Sequence, residues 1–310
     1  MAQTMYYLGF AFFYLLSLLP FWLLYRISDV AAWVLCNVVG YRRKTIESNI
    51  RQGFPEFTTE QVLQTKRKFY VNFVDNWVET IKMLSMSKAT LAKRAQGNYE
   101  VVAELQKTGK PVLAITGHFF NWEFVNLAMG AFQPMPMICV YMPISDKSMD
   151  RMFKYLRARF GSHLMAAPLL NREIIPWRKK QYVIGLVSDQ NPSNPSNAQW
   201  LQFLNRPTPF LTGPERNAQV FNQIPVFTSV RKLKRGHYYF HFELLETKED
   251  SRKDPGAITR QIVQRLEDNI RKEPDSYLWS HRRWKHQWKN EYAPLWVDTK
   301  NLMPVEETQG

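Results

Sequence analysis

A chain of 310 residues, 45% of them apolar, is long enough for one large α/β domain with extra elements or for two small domains. Its 41 Lys and Arg against 27 Asp and Glu give a formal charge of +14, which points to an anionic partner: nucleic acid, a phospholipid surface, or an acidic substrate or carrier. Cys36 and Cys139 lie in apolar contexts without C-x-x-C spacing, and the six histidines are scattered; a disulfide framework and a zinc site are both unsupported, and a reducing compartment is the default.

From Met5 to Tyr25 the chain reads MYYLGFAFFYLLSLLPFWLLY, 21 residues without a charge, near the ~20 a helix needs to cross a hydrocarbon core. Pro20 can kink this helix or end it early, leaving an anchor that dips into one leaflet with Trp22 and the tyrosines at the interface. A buried core helix is the plainer alternative. A secretory signal fits poorly, because no Lys or Arg precedes the run and no small-residue cleavage site follows it. Arg26, Arg42, Arg43 and Lys44 come after the run, so the bulk of the chain is expected on the cytoplasmic face of the inner membrane. A second apolar stretch, Val30 to Tyr41, is too short to span and is expected to lie along the surface or pack on the domain. The expected organisation is a hydrophobic anchor over 1–40, an α/β domain over 41–295 and a polar tail over 296–310, with VEETQG at its end frayed.

Pro55 breaks what precedes it, and Thr58 with Gln61 fits a capping box. The following helix repeats Val62, Phe69, Phe73, Trp77, Ile81 and Leu84, with Tyr70, Val74 and Val78 beside them; this broad face is read as core, with a membrane-facing role as the alternative. From residue 110 short apolar strands alternate with helical stretches. The predicted strands are Pro111–Thr116, Met137–Met142, Tyr182–Ser188, Pro225–Val230 and Tyr238–Leu245, and the predicted helices are Asn121–Phe132, Lys147–Phe160, Gly213–Gln223 and Ala257–Lys272. This alternation implies an α/β fold with a mainly parallel mixed sheet and helices on both faces. Thr212 and Glu215 stand in capping-box register, with Pro214 in the first turn. NPSNPSN, residues 191–197, reads as a flexible insertion after a strand end, a candidate lid.

The stretch GHFFNWEF, residues 117–124, follows the buried run VLAIT. On one continuous helix His118 and Glu123 would lie about 140° apart around the axis. If Gly117 and His118 end the strand and Asn121 caps a helix with Glu123 in its first turn, the chain reverses and the two side chains can meet, at the strand ends where open α/β sheets bind ligands. An imidazole with a carboxylate on its other nitrogen is a general base near neutral pH. With no Ser or Cys nucleophile beside it, the proton would come from a substrate hydroxyl, which suggests acyl transfer to an alcohol by direct attack. Helix capping alone also explains Asn121 and Glu123, and His118 is equally compatible with a satisfied buried histidine.

GHFFNWEF resembles the H-x-x-N-W-E signature of the lipid A late acyltransferases, a branch of the lysophospholipid acyltransferase-like superfamily marked by His, four residues, then Asp or Glu. The stretch from Arg43 through Asn49 to FPE at 54–56, YMPISDKSMDRMFKYLRARFG, VSDQNP and EPDSYLWSHRRWK are similar to further blocks of that family, in its order, over roughly residues 40 to 290. The resemblance implies His118 as the base that deprotonates a lipid hydroxyl, Glu123 as its orienting partner, and Arg157 as the group that binds the thioester oxyanion or a substrate phosphate, with Arg159 as the alternative. It also implies a substrate-positioning role for Asn121 and, for Asp189, either that or holding an arginine, with a plain turn-initiating Asp as the alternative. Arg282 and Arg283 are candidates to bind phosphate, and Trp279, Trp284 and Trp288 to sit at the bilayer interface; a basic solvated face with packed tryptophans is the plainer reading. Many members of the family have glycine where this chain has Phe120, whose ring is expected to narrow the acyl or acceptor site.

The implied activity is that of a membrane-bound O-acyltransferase that moves a fatty acyl chain from acyl carrier protein, or a coenzyme A thioester, to a hydroxyl of a lipid A precursor, with no cofactor and no metal. An acidic carrier protein would suit the positive charge. Another glycolipid, an aminolipid or a lysophospholipid as acceptor would keep the same chemistry, and a non-catalytic lipid-binding protein is the alternative from another class. Nucleic-acid binding ranks low, since no zinc-finger spacing, aromatic RNA-binding signature or basic helix with heptads is present.

Overall fold

The computed structural model describes residues 2–247 and 254–304. The uncharged N-terminal run does not form one helix. Helix α1 (Ala2–Leu18) stops short of Pro20, and α2 (Phe21–Val34) starts directly after it. Proline lacks an N–H and has a fixed φ, so it suits the residue ahead of a helix and not its interior. At the end of α1, Ser17 O and the following Leu19 O accept from Lys82 Nζ at 2.8 Å each. A π-helical turn, Leu35–Val39, prolongs α2 as far as Gly40, whose φ of 62° ends the helix in the left-handed region. Val30 onward is therefore the second half of a longer helix, and Phe21–Val39 is apolar and long enough by itself to cross a membrane.

Helix α3 (Arg43–Gly53) leads into α4 (Thr59–Lys82), whose expected capping box is made: Gln61 N donates to Thr58 Oγ1 and Thr58 N donates to Gln61 Oε1. Val62, Phe69, Tyr70, Val74 and Val78 of α4 are buried, as its periodicity predicts, whereas Phe73 and Ile81 are half-buried and Trp77 is exposed, because Phe73 and Trp77 line a cavity instead of filling the core. There follow α5 (Lys88–Arg94), β1 (Ala95–Gly97), α6 (Glu100–Leu105), β2 (Val112–Thr116), α7 (Glu123–Phe132), β3 (Met137–Tyr141), α8 (Lys147–Ala158), β4 (His163–Ala166), α9 (Leu170–Glu173) and β5 (Val183–Val187). The chain continues through β6 (Ala198–Phe203), β7 (Arg206–Leu211), α10 (Gly213–Val220), β8 (Ile224–Lys234), β9 (His237–Leu244) and α11 (Ala257–Lys272). Seven strands form one sheet in the order β1-β9-β8-β2-β5-β3-β4, parallel except for the β8–β9 hairpin. All five residues of β2 are buried, as a central strand covered on both faces requires.

The five strands expected from periodicity are all present. β1 and β4 are too short for a repeat to show, and the β6–β7 hairpin forms its own two-stranded sheet. Two prolines in RPTPFL argue against a strand, yet are tolerated because a two-stranded sheet consists only of edges. The Thr212 side chain makes no cap: its backbone is already helical at φ −75°, ψ −14°. Glu215 is drawn away to α11, where it accepts from Gly256 N, Thr259 N and Thr259 Oγ1. The 191–197 loop is tied down at several points: Asn191 Nδ2 donates to Arg282 O, Asn194 Oδ1 accepts from Ser196 N, and Pro195 O accepts from the Trp200 indole. The C-terminal segment belongs to the fold as far as Asn301. Val297 N donates to Trp200 O, and Asp298 accepts from Gln202 N and Asn301 N. VEETQG lies outside the described residues.

Candidate active site

Register alone brings the first two site residues together. In the parallel pair β2–β5, Thr116 stands opposite Val187, so the residues two positions beyond each, His118 and Asp189, emerge side by side on strands about 4.8 Å apart. Gly117 is needed just before them, because a Cβ there would meet Leu266 Cδ2 at 2.7 Å and the Phe119 ring at 2.8 Å. Asp189 Oδ1 accepts from His118 Nδ1 at 2.6 Å, and its Oδ2 accepts from the His118 backbone N–H at 3.1 Å. Burial works against the charge on this carboxylate. The imidazole, that backbone N–H and nearby Arg283 prevail, and hold its pKa below the usual range. With Nδ1 committed to Asp189, His118 presents Nε2 to Gln190 Nε2 at 3.3 Å.

The carboxylate expected on His118 was Glu123; in the structure Asp189 holds that place. Glu123 instead faces α8, where Arg157 Nε donates to Oε1 and Oε2 at 3.0 Å and Arg157 Nη2 donates to Oε1 at 2.5 Å. The planar guanidinium fork matches the carboxylate. Burial opposes the Arg157 charge, yet Glu123 more than compensates and raises its pKa above the ordinary arginine value. Arg159 points elsewhere, donating to Met83 O.

Between His118 and Glu123 the chain turns sharply. Phe120 has a φ of 35°, in the left-handed region where a side chain is strained and glycine is not. Two bonds hold it there: Phe120 N donates to Ser276 O at 3.0 Å, and Asn76 Nδ2 of α4 donates to Phe120 O at 2.5 Å. Asn121 is buried and serves as a clip. Its Oδ1 accepts from Glu123 N, while its Nδ2 donates to Asn76 O and Glu79 Oε2. Helix α7 accordingly starts at Glu123, two residues later than expected. The Phe120 ring does not narrow the site; it packs on Tyr238, with ring centroids 5.7 Å apart.

A cavity of about 490 Å³ opens beside this turn, lined by Tyr41, Arg42, Phe73, Asn76, Trp77, Asn121, Trp122, Glu123, Phe153, Arg157, Gln190 and His281 among others. The His118 ring packs edge-on against Trp122 at 4.8 Å. A smaller apolar cavity of about 60 Å³ shares Trp77, Thr80, Met149 and Phe153 with the first and reaches Phe13 of α1. Arg157 and Glu123 thus line the cavity directly, and His118 adjoins it through Trp122 and Gln190, which both line it.

The profile of the bacterial lipid A biosynthesis acyltransferases matches residues 1–286. The chain belongs to this family. It is similar to a lipid A biosynthesis acyltransferase of Haemophilus influenzae, 21% identical over 280 residues that cover 88% of this chain and 85% of the relative.

Within this acyltransferase, the remaining residues singled out from sequence fall in different places. Arg283 is 1% exposed, donating to Asn191 Oδ1 at 2.8 Å and Pro209 O at 3.0 Å, with its guanidinium over the Phe210 ring; it braces the Asp189 loop and is shut off from a phosphate in solvent. Arg282 is exposed. Trp279 is buried in the core, which removes it from any bilayer interface, and Trp288 packs with Trp200 and Trp296. Two contributors escaped the sequence reading. His281 and Arg42 line the acyltransferase cavity, and Arg42 Nη1 donates to Ser280 O. His281 sits within HRRWK, where the arginines drew the attention. On α4, the spacing Asn72, Asp75, Asn76, Glu79 was visible as a polar stripe but was overshadowed by the apolar face.

Proposed function

We propose that this acyltransferase moves a fatty acyl chain from a thioester, on acyl carrier protein or coenzyme A, to a hydroxyl of a lipid A precursor at the cytoplasmic face of the inner membrane. The observation that carries the reading is the His118–Asp189 pair beside an apolar cavity. Asp189 fixes the Nδ1–H tautomer, so Nε2 is the proton acceptor. His118 Nε2 takes the proton of the acceptor hydroxyl as its oxygen attacks the thioester carbonyl. The C–S bond then breaks, the thiolate leaves, and the imidazolium returns the proton to sulfur, giving ester and thiol. Arg157, held by Glu123, offers its charge to the oxyanion of the tetrahedral intermediate. Glu123 acts through Arg157 in this scheme. The acyl chain occupies the cavity between α4 and α8.

Membrane attachment is supported by the outward faces of the N-terminal helices, where Leu8, Phe12, Leu15, Trp22, Val30, Trp33 and Val38 are exposed. Arg42, Arg43 and Lys44 follow the longer helix, Arg26 is exposed within its first turns, and all four suit anionic headgroups. The excess positive charge favours encounter with an acidic carrier protein.

Mass spectrometry of lipid A from cells lacking the protein tests this reading. Loss of one secondary acyl chain, restored by wild type but not by His118→Ala, supports it. An unchanged lipid A with a different lipid altered overturns the acceptor, and complementation by His118→Ala overturns the mechanism.

A further inference from the structure

Helix α4 carries a second stripe apart from its core face. Asn72, Asp75, Asn76 and Glu79 follow the i, i+3, i+4, i+7 spacing of one helix face, and Asn72, Asp75 and Glu79 are buried. On one side this stripe meets α2. Tyr25 Oη donates to Glu79 Oε1 at 3.0 Å, Ser28 Oγ donates to Asp75 Oδ1 at 2.6 Å, and Arg235 joins Asp29 to Asp75 at 2.8 and 2.6 Å. On the other side it meets the site turn: Asn76 holds the Phe120 carbonyl, and Glu79 Oε2 accepts from Asn121 Nδ2 at 3.2 Å and from Tyr238 Oη at 2.9 Å. Burial, followed by the proximity of Asp75, pushes the Glu79 carboxyl up to about 7. Apolar side chains would fill the space between two helices at lower cost than two desolvated carboxylates. What the polar stripe adds is direction, since it fixes the one strained turn that carries His118 and Glu123.

We propose that Glu79 is a positioning residue for the His118–Glu123 turn and that Tyr25, on the membrane-facing helix α2, completes it, so that α2 is part of the active site as well as an anchor. The inference rests on the acyl-transfer reading above. Tyr25→Phe removes one hydroxyl and leaves the ring and the outward face of α2 unchanged; Glu79→Gln removes the carboxylate itself.

Both variants are tested as full chains in detergent, with kcat and KM for an acyl thioester and a lipid acceptor, cosedimentation with phosphatidylethanolamine–phosphatidylglycerol vesicles, and the thermal midpoint. Tyr25→Phe should lose about 10- to 100-fold in kcat, with KM, vesicle binding and Tm close to wild type, since small misplacement of reacting groups has effects of that size. Wild-type kcat in Tyr25→Phe, or a loss that only mirrors weaker vesicle binding, overturns the proposal; should Glu79→Gln fail to fold, Tyr25→Phe decides alone. If the wild type transfers no acyl group to any lipid, the functional reading fails, and the imidazole NMR resonances of His118 decide the inference: displaced resonances in Tyr25→Phe support the clamp, and unmoved ones overturn it.

Discussion

Asp189 Oδ1 lies 2.6 Å from His118 Nδ1, each residue two positions past a pair, Thr116 and Val187, already matched in the parallel register of β2 and β5. Sheet geometry, not the local turn, sets this imidazole–carboxylate pair. Asp189→Asn should therefore lower kcat by about 10²- to 10⁴-fold, because an amide no longer fixes the tautomer that leaves Nε2 free to accept. Initial rates of acyl transfer measure this, and a variant with wild-type rates would remove Asp189 from the mechanism.

Glu123 and Arg157 form the second pair, with side chains only 5% and 16% exposed. Removing either partner leaves the other charge buried, at a cost of about 3–5 kcal/mol. Glu123→Ala and Arg157→Ala should each destabilise by that order. The double variant should lose less than the sum, which a denaturant-unfolding cycle reads directly.

Phe120→Gly sets two effects against each other. Glycine relieves the left-handed strain, worth about 1–2 kcal/mol, while loss of the buried ring against Tyr238 costs about 3–5 kcal/mol. The packing loss wins, so the variant should be less stable than wild type by a few kcal/mol. An unfolding midpoint at or above wild type would show that the turn is more strained than its dihedral implies.

Burial, reinforced by Arg283, lowers the His281 pKa from 6.5 to about 4. A depressed folded-state value means that the neutral form is favoured in the native protein. Its contribution is present above pH 6.5 and is lost as pH falls toward 4. Stability should decline over that interval, and His281→Gln, which cannot titrate, should flatten the decline in thermal midpoints measured across it.

Val30 and Trp33 are 65% and 61% exposed on the outer face of α2. Replacing both with glutamate should leave the thermal midpoint nearly unchanged while sharply weakening cosedimentation with anionic vesicles. Undiminished sedimentation would mean that another surface meets the lipid.

The alternation of apolar runs after residue 110 made the parallel sheet readable, and the five longer strands and their helices fall within a few residues of expectation. His118, Asn121, Glu123, Arg157 and Asp189 were equally visible as candidates. Their pairing was not, because spacing along the chain cannot reveal that β5 lies beside β2; the order of strands decides which carboxylate reaches the imidazole. The same blindness placed Arg283 at the surface and left Trp279 open between the bilayer interface and the core. Charge and aromatic character suggest contact with water or lipid, but Asn191, Pro209 and Phe210 enclose that arginine, and Phe54 and Tyr277 flank that tryptophan. Pro20 was noted as a break, yet only tertiary packing shows that the helices on either side of it both lie against α4.

That packing on α4 bears on how a water-soluble form of the protein should be made. Trimming the chain to begin at Arg43 would take Ser28 from Asp75 and Tyr25 from Glu79, leaving each buried carboxylate one hydrogen-bond donor short. Recolouring the outer faces of α1 and α2 with polar residues, while sparing Tyr25, Ser28 and Asp29, would keep the turn at Phe120 braced and is the sounder route for inhibitor screening.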